Sequence, residues 1–243
     1  MSKGIVLSLY DFTGEACRPW AEAGYTCYAF DIQHDGWKIE GFGKDCGGSI
    51  HYRKADLHNR ETLNAIQDEF SDQNVVFGMA FCVCTDLAVS GAAWFAKKAA
   101  ANPSFQEEAV SYAVWSSKLF DRLQVPYFIE NPVSVLATKW RKPDYSFHPY
   151  EYGGYIPYSK AEHPRWPEYI APFDAYKKKT CLWTGGGFVM PEKVAVECEG
   201  YHGNGYSTAM MKLGGKSQRT KDIRSATPRG FAEAVYQSNQ GEN

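Results

Sequence analysis

Short apolar runs alternate with helix-like stretches through the first half of the chain, and this alternation constrains the fold more than any other feature. GIVLSLY (4–10), YTCYAFDI (25–32) and NVVFGMAF (74–81) each have the length and composition of a buried strand. The remaining predicted elements are strands at 50–57 and 125–130 and helices at 14–24, 61–70 and from Ser104 to Leu123. Strands that alternate with helices predict an α/β protein with an open sheet and helices on both faces.

The second half of the chain lacks this regularity. Residues 139–180 are rich in Tyr, Pro, His, Lys and Gly, which indicates irregular structure. A final amphipathic helix is predicted to begin near Thr227, an N-cap residue followed by Pro228 at the first helical position. The chain therefore reads as a regular first half, a small irregular region and a closing helix.

Composition removes two classes of protein. No run approaches the roughly 18 apolar residues of a membrane span, and the start of the chain lacks the apolar region of a signal peptide. We therefore expect a cytoplasmic protein that does not span a membrane and whose cysteines stay reduced. They number seven and form no CxxC pair, so one of them is available for chemistry: Cys17, Cys27, Cys46, Cys82, Cys84, Cys181 and Cys198.

The net charge of −2 hides an asymmetry between the two halves. Residues 1–138 carry 11 basic and 17 acidic side chains (−6), whereas residues 139–243 carry 15 basic and 11 acidic side chains (+4). A chain that is not basic overall does not bind a polyanion over its whole surface. A basic second half is nevertheless suited to an anionic partner.

Three features follow successive predicted strands, where ligands bind in open parallel sheets. Gly14, in YDFTGEA (10–16), allows the backbone to approach a ligand, and Asp31 follows the second strand at a place where a carboxylate can accept hydrogen bonds from ribose hydroxyls. Asp56 follows the third strand. Each feature alone is also explained by a turn or a solvated cap, but together they favour a cofactor that contains a nucleoside.

A cysteine and a glutamate follow the next two strands. Cys84 comes just after the strand at 74–81, where loop amides can lower the pKa of a thiol, whereas Cys82 is expected to point into the core. Glu130 ends the apolar strand FIE, so its pKa should rise and allow it to donate a proton to a ring nitrogen. The alternatives are a small buried cysteine and an exposed strand-end turn. Because no second Cys or His pair is present at short spacing, we expect no metal.

The order of these motifs resembles that of the cytosine carbon-5 DNA methyltransferase superfamily, most closely its compact phage and bacterial members. The likeness covers nearly the whole chain, because HPYEYGG (148–154) and KKKTCLW (177–183) look like the later basic motif of the family and RSATPRGFAEAVY (224–236) looks like its closing motif. It implies a Rossmann-like class I methyltransferase sheet in a cofactor-binding and catalytic core at 1–138. A small substrate-recognition region at 139–223 and a C-terminal segment at 224–243 that returns to the core would follow.

The resemblance also implies a set of site residues. Cys84 would be the nucleophile and Glu130 the acid that contacts cytosine. Asp31 would hold the ribose and Asp56 the adenine of S-adenosylmethionine, and the loop after the first strand would border this cofactor with Tyr10, Asp11, Phe12 and Gly14. The expected setting is the cytoplasm of a bacterial or phage-infected cell.

Basic side chains in the second half are expected to contact the phosphates of DNA. Between residues 212 and 229, the six cations Lys212, Lys216, Arg219, Lys221, Arg224 and Arg229 face only one acid, Asp222. The predicted substrate-binding residues are Asn131, Lys177, Lys178, Lys179, Arg219 and Arg224. The small recognition region favours a short or degenerate target site. Two alternatives remain open, namely methylation of a free pyrimidine nucleotide or modified base, and a degenerate methyltransferase fold that binds nucleic acid without turnover.

Overall fold

One mixed sheet forms the centre of the molecule. A computed structural model describes residues 2–43, 47–198, 213 and 217–241. Within these residues the sheet has eight strands in the order β3-β4-β2-β1-β5-β6-β8-β7. Their bounds are β1 Ile5–Leu9, β2 Thr26–Asp31, β3 Trp37–Phe42, β4 Gly48–Lys54, β5 Val75–Ala80, β6 Tyr127–Pro132, β7 Tyr145–Phe147 and β8 Thr180–Gly185.

The central strands run parallel. β1 pairs in parallel with β2 and β5, β2 with β4, and β5 with β6. β3 is antiparallel to β4, and β8 is antiparallel to β6. The predicted α/β class is confirmed, as a mostly parallel mixed sheet with helices.

Helices cover both faces of this sheet. Phe77 of β5 stacks on Trp20, and a side chain on the next residue, Gly78, would collide with Phe120. Because consecutive residues of a strand point to opposite faces, the helices that carry Trp20 and Phe120 lie on opposite sides. The helices are α1 Arg18–Glu22, α2 Arg60–Phe70, α3 Phe95–Ala101, α4 Phe105–Leu123, α5 Leu136–Lys139, α6 Gln218–Ser225 and α7 Arg229–Asn239.

Most predicted elements of the first half are present, with two corrections. The first helix begins only at Arg18, because residues 10–17 form a loop that is built around the buried carboxylate of Asp11. The third parallel strand starts at Gly48 and is preceded by β3, which the sequence did not predict. Trp37 of β3 is 70% exposed, so this strand lacks the apolar signal of a core strand.

The second half is more regular than expected. β8 is an almost fully buried strand, and α6 precedes the closing helix. That closing helix, α7, begins at Arg229, one residue after Pro228. Lys212, Lys216 and Cys46 lie outside the described residues.

The chain divides into two compact units. The first contains residues 1–146, 180–189 and 239–243, and the second contains residues 147–179 and 190–238. In the second unit Phe147 stacks on Phe231 of α7 with ring centroids 4.0 Å apart, and Tyr152 meets Phe231 edge-on. Ile170, Tyr176 and Ile223 belong to a separate hydrophobic cluster of that unit.

Candidate functional site

Five parallel strands bring the predicted site residues to one edge of the sheet. In space these strands lie in the order β4-β2-β1-β5-β6. From β1 the chain first adds β2 and β4 on one side, and it then crosses to the other side of β1 to add β5 and β6. The strand order reverses between β1 and β5, and ligands of doubly wound sheets bind at the carboxyl ends of strands at such a point. The predicted cofactor and catalytic residues lie in the carboxyl-terminal parts of β1, β2, β4, β5 and β6 or in the loops that follow these strands.

The loop after β1 is organised by the buried carboxylate of Asp11. Its Oδ2 accepts a hydrogen bond from the Ser8 hydroxyl (2.8 Å), and its Oδ1 accepts from the backbone N–H of Gly14 (2.7 Å) and the Thr13 hydroxyl (3.3 Å). Burial raises the pKa of Asp11, and these hydrogen bonds oppose the rise. Asp11 therefore shapes the loop from within, so any cofactor contact here comes from the backbone and from Phe12.

Gly14 has two reasons to be glycine. Its φ of +70° lies in the left-handed region, and an added Cβ would lie 2.6 Å from the hydroxyl of Tyr52. That hydroxyl donates to Oε2 of Glu40 at 2.8 Å, which holds the Tyr52 ring in place. The loop can therefore pass close to Tyr52 only if residue 14 has no side chain.

An aromatic cluster that the sequence did not predict lies beside this loop. The half-exposed ring of Phe12 stacks on His34 with centroids 5.6 Å apart, and His34 meets Tyr52 edge-on at 5.4 Å. His34 is buried, and its Nε2 has no hydrogen-bond partner among the described residues. No motif marks His34 or Tyr52, because they come from the turn after β2 and from β4. With Phe12 they provide an apolar wall on which a planar base can pack.

Asp31, at the end of β2, retains acceptor capacity. It is buried, and its Oδ1 accepts the backbone N–H of Gln33 at 2.8 Å. Its Oδ2 receives no hydrogen bond from the residues that the structure describes. A carboxylate held in this way can accept a hydroxyl hydrogen bond from a ligand.

Asp56 and Tyr10 lie in the loops that follow β4 and β1. Asp56 is exposed, and its Oδ1 caps the turn by accepting the N–H of His58 at 3.1 Å. Tyr10 has a left-handed φ of 58°, and its hydroxyl donates to the carbonyl of Leu57 at 2.9 Å. Burial raises the pKa of Tyr10, so its hydroxyl stays protonated. Tyr10 thus joins the loop after β1 to the loop that carries Asp56.

The two cysteines after β5 have different environments. Cys82 is buried, as predicted. This burial raises the pKa of its thiol to about 12. Cys84 is exposed, and its carbonyl accepts the N–H groups of Leu87 (3.1 Å) and Ala88 (2.8 Å), which close a turn. Lys98 holds the same turn by donating to the carbonyl of Thr85 and the carboxylate of Asp86. Only Cys84 of this pair is accessible as a nucleophile.

Glu130 and Asn131 lie on the neighbouring strand β6. Ala80 of β5 pairs with Ile129, so Glu130 follows at the level of the residues just after β5. Glu130 is partly exposed, and its charge contributes to the raised pKa of Cys82. Asn131 is fully buried, and its Nδ2 donates to the carbonyl of Cys82 at 2.8 Å. The side chain of Asn131 therefore positions the Cys84 segment from within.

A short β-bridge joins the two loops further along. Ala88 pairs with Ser134, the N–H of Val89 donates to the carbonyl of Val133 (3.1 Å), and the N–H of Val135 donates to that of Leu87 (2.9 Å). Three apolar side chains of these two loops are exposed, namely Val83 (43%), which precedes Cys84, and Val89 and Val133, which lie at the bridge. The bridge ties the loop that carries Cys84 to the loop that follows Glu130.

The predicted basic side chains lie in the second unit, and most have partners there. Arg219 pairs with Glu168 at 2.8 Å, Lys178 donates to the carbonyl of Arg224, and Lys177 lies over the ring of Tyr150. Arg224 itself donates to the carbonyl of Leu213 at 2.9 Å. Lys179 is exposed.

Arg229, counted among these cations, has a different role, so the prediction for this residue is wrong. Its guanidinium pairs with the buried carboxylate of Asp174 at 3.1 Å and donates to the carbonyls of Lys160, Ala161 and Glu162. Asp174 also accepts the backbone N–H of Arg229 at 2.5 Å and so caps α7. A guanidinium bound on every side in this way does not bind phosphate.

Comparison with known proteins adds no family to these observations. A scan against protein-family models finds no match, and a search of curated proteins finds no significantly similar sequence. Among the described residues, none of the helices has both the length and the apolar character that crossing a membrane requires. Nor do three or more His, Cys, Asp or Glu side chains cluster as metal ligands within those residues.

Proposed function

We propose that this chain is an S-adenosylmethionine-dependent methyltransferase that acts on carbon-5 of cytosine in DNA. The observation that carries the proposal is the link between two strand ends. The exposed Cys84 segment after β5 is fixed to the Glu130 strand by the Asn131–Cys82 hydrogen bond and the Ala88–Ser134 bridge. A nucleophile and an acid at the ends of adjacent strands are what addition to a pyrimidine ring requires.

The cofactor site would lie at the neighbouring strand ends. The close approach of the loop at Gly14 to Tyr52, the apolar wall of Phe12 and the spare carboxylate oxygen of Asp31 fit a nucleoside. S-adenosylmethionine would supply an electrophilic methyl group there. A doubly wound sheet, with the order reversal between β1 and β5, is compatible with the Rossmann-like methyltransferase sheet.

The side chains would act in sequence on a cytosine that has been flipped out of the duplex. The Cys84 thiolate adds to carbon-6 and forms a carbon–sulfur bond. Glu130, as a carboxylic acid, donates a hydrogen bond to ring N3 and stabilises the electron density that the addition pushes into the ring. Carbon-5 thereby becomes nucleophilic enough to accept the methyl group that S-adenosylmethionine would supply, with S-adenosylhomocysteine as the leaving group. Loss of the carbon-5 proton then returns the electron pair to the ring and expels Cys84.

A free pyrimidine nucleotide or modified base is the second candidate substrate. Arg229 is largely buried and Arg219 is paired with Glu168, so fewer of the described cations of the second unit are available to a DNA backbone than the sequence suggested. A small substrate needs fewer phosphate contacts than a duplex. This observation does not alter the roles proposed for Cys84 and Glu130.

Methyl-tritiated S-adenosylmethionine distinguishes these functions. The protein is incubated with cytosine-containing DNA and, separately, with pyrimidine nucleotides, and the label is located by digestion and chromatography. We expect label on carbon-5 of cytosine in DNA, its loss in Cys84→Ser, and full activity in the control Cys198→Ser, whose thiol lies in the second unit. Label in nucleotides alone supports the second candidate, and no label in either substrate overturns both.

A covalent trap tests the nucleophile separately. DNA that contains 5-fluorocytosine carries no removable proton at carbon-5, so the final elimination is blocked and an adduct accumulates. Mass spectrometry should find the adduct on Cys84. An active enzyme that forms no adduct, or forms it on another cysteine, would contradict the proposed role of Cys84.

A further inference from the structure

A basic groove runs between α2 and α4 on one face of the sheet of the first unit, and none of the proposed catalytic or cofactor-binding residues lines it. It is a shallow groove that is open to solvent. On each helix the lining residues recur at positions i, i+3, i+4 and i+7, so each helix contributes one stripe. The buried side chains of Leu63 and Leu119 form the floor, and Arg60, Lys118 and Arg122 form a positively charged rim.

No carboxylate lines this groove among the described residues. The acids of α4 are held elsewhere, since Glu107 pairs with Lys139, Glu108 accepts from Asn102, and Asp121 accepts from the hydroxyl of Tyr127. On α2, Glu69 pairs with Arg53. No ion pair within the described residues includes one of the three rim cations.

Several other cations of the first unit form ion pairs, whereas the rim cations form none with a described residue. Arg18, Arg53, Lys98, Lys139 and Arg141 each take part in an ion pair. Lys118 makes no hydrogen bond or ion pair with any described residue, and the only contact of Arg60 within that part of the chain is with the ring of Trp115. Among the same residues, Arg122 donates only to the uncharged amide oxygen of Gln67, at 2.7 Å.

The spacing of the cations indicates what they bind. Arg60 lies level with Trp115, and Arg122 lies level with Gln67, so Arg60 and Arg122 mark opposite ends of the groove. Seven residues of helix separate those ends, a distance of about 10 Å at 1.5 Å per residue, with Lys118 between them. One phosphate group is too small to contact all three cations. A chain of phosphates can do so.

We propose that this groove binds the phosphodiester backbone of a nucleic acid, as a second contact surface outside the site of the proposed reaction. The proposal goes beyond the proposed function, because it requires neither Cys84 nor a bound cofactor. Its strength should depend on salt and not on sequence, as for other phosphate contacts.

The test replaces all three rim cations with glutamine, as R60Q/K118Q/R122Q. The control is K3Q/K38Q/K142Q, which removes the same charge from exposed lysines of the first unit that lie outside the groove. Fluorescence anisotropy follows binding of labelled single-stranded and duplex oligonucleotides at several salt concentrations. We expect the groove variant to weaken binding about tenfold or more. On a duplex, the slope of log K against log salt should fall by about 0.9 for every phosphate that the variant no longer neutralises.

Equal affinities and salt slopes for the groove variant and the control would overturn the proposal. Inorganic triphosphate is tested in parallel as a competitor. If it binds the wild-type groove while oligonucleotide affinity is unaffected by the three substitutions, the ligand is a free polyphosphate and the backbone assignment is wrong. Thermal melting checks the fold, which should be retained because the change removes the repulsion between Lys118 and Arg122 at i and i+4.

The outcome is separable from that of the methyl-transfer assay. Cys84→Ser should leave oligonucleotide binding by the groove unchanged, since the thiol is not part of it. A protein that transfers no methyl group and yet loses nucleic-acid affinity in the groove variant would refute the proposed function and support the groove. A protein that transfers the methyl group to DNA while the groove variant binds nucleic acid like the control would support the proposed function and refute the groove.

Discussion

Nδ2 of Asn131 donates a hydrogen bond of 2.8 Å to the backbone carbonyl of Cys82, and this bond joins β6 to the segment that carries Cys84. Both residues are buried, so water cannot replace the donor if it is lost. The bond therefore couples the geometry of a strand end to the position of an exposed thiol two residues away. It explains why an Asn follows Glu130 without requiring that Asn131 touch a substrate.

Asn131→Ala should destabilise the fold and loosen the Cys84 segment. The substitution leaves the carbonyl of Cys82 buried without a donor, which costs about 1–3 kcal/mol of the free energy of unfolding. Denaturant unfolding measures that loss, and the rate of Cys84 alkylation by iodoacetamide reports the local change. Asn64→Ala, at an exposed position of α2, is the control and should stay within about 0.5 kcal/mol of wild type. Equal stabilities for the two variants would contradict this account.

Cys82 should make the protein less stable at high pH. The thiol has a pKa of about 12 in the folded protein, because of burial, against 9.0 for an ordinary cysteine. Between these values the unfolded chain loses the proton and the folded protein keeps it, so stability is full below about pH 9 and falls as the pH rises towards 12. Unfolding curves across this range test the effect, with Cys82→Ala as the comparison. A wild-type slope against pH no steeper than that of Cys82→Ala would count against it.

Gly14→Ala should disturb the loop after β1. The positive φ costs about 1–3 kcal/mol for a residue with a side chain, and the new Cβ would also press on the ring of Tyr52. We expect lower thermal stability and weaker binding of S-adenosylmethionine by calorimetry. Gly41→Ala is the matched control, because no atom of the described residues lies within 4 Å of its Cβ position and its φ is not positive. A Gly14→Ala variant that melts and binds like Gly41→Ala would show that the loop tolerates a side chain.

The sequence predicted the parallel strands of the sheet better than it predicted the side-chain contacts at their carboxyl ends. Runs such as GIVLSLY are apolar throughout because both faces of a parallel strand are covered, so β1, β2 and β5 were recognisable. β3 was missed because its outer face is exposed. The Asn131–Cys82 bond was also missed, because its acceptor is a backbone carbonyl that every residue possesses. His34 and Tyr52 come together with Phe12 only when β2 and β4 pair. No local sequence pattern predicts such a contact between distant residues.

Asp31→Ala should weaken S-adenosylmethionine binding if the proposed cofactor site is correct. Loss of hydrogen bonds from ribose hydroxyls to the carboxylate would reduce binding by about 1–3 kcal/mol in isothermal titration. Asp35→Ala removes the same charge from an exposed position four residues further on and should bind the cofactor like wild type. An unchanged dissociation constant for Asp31→Ala would remove this residue from the site.

The buried ion pair between Asp174 and Arg229 should be the strongest single support of the second unit. Removing the carboxylate in Asp174→Ala leaves a largely buried guanidinium without its counter-charge and uncaps α7, which should cost about 3–5 kcal/mol of the free energy of unfolding. Arg219→Ala breaks the exposed pair with Glu168 and should cost no more than about 1 kcal/mol. Denaturant unfolding compares the two variants. The double change D174A/R229M should recover part of the loss, because no unpaired charge then remains buried; a double variant less stable than Asp174→Ala would contradict the ion-pair explanation.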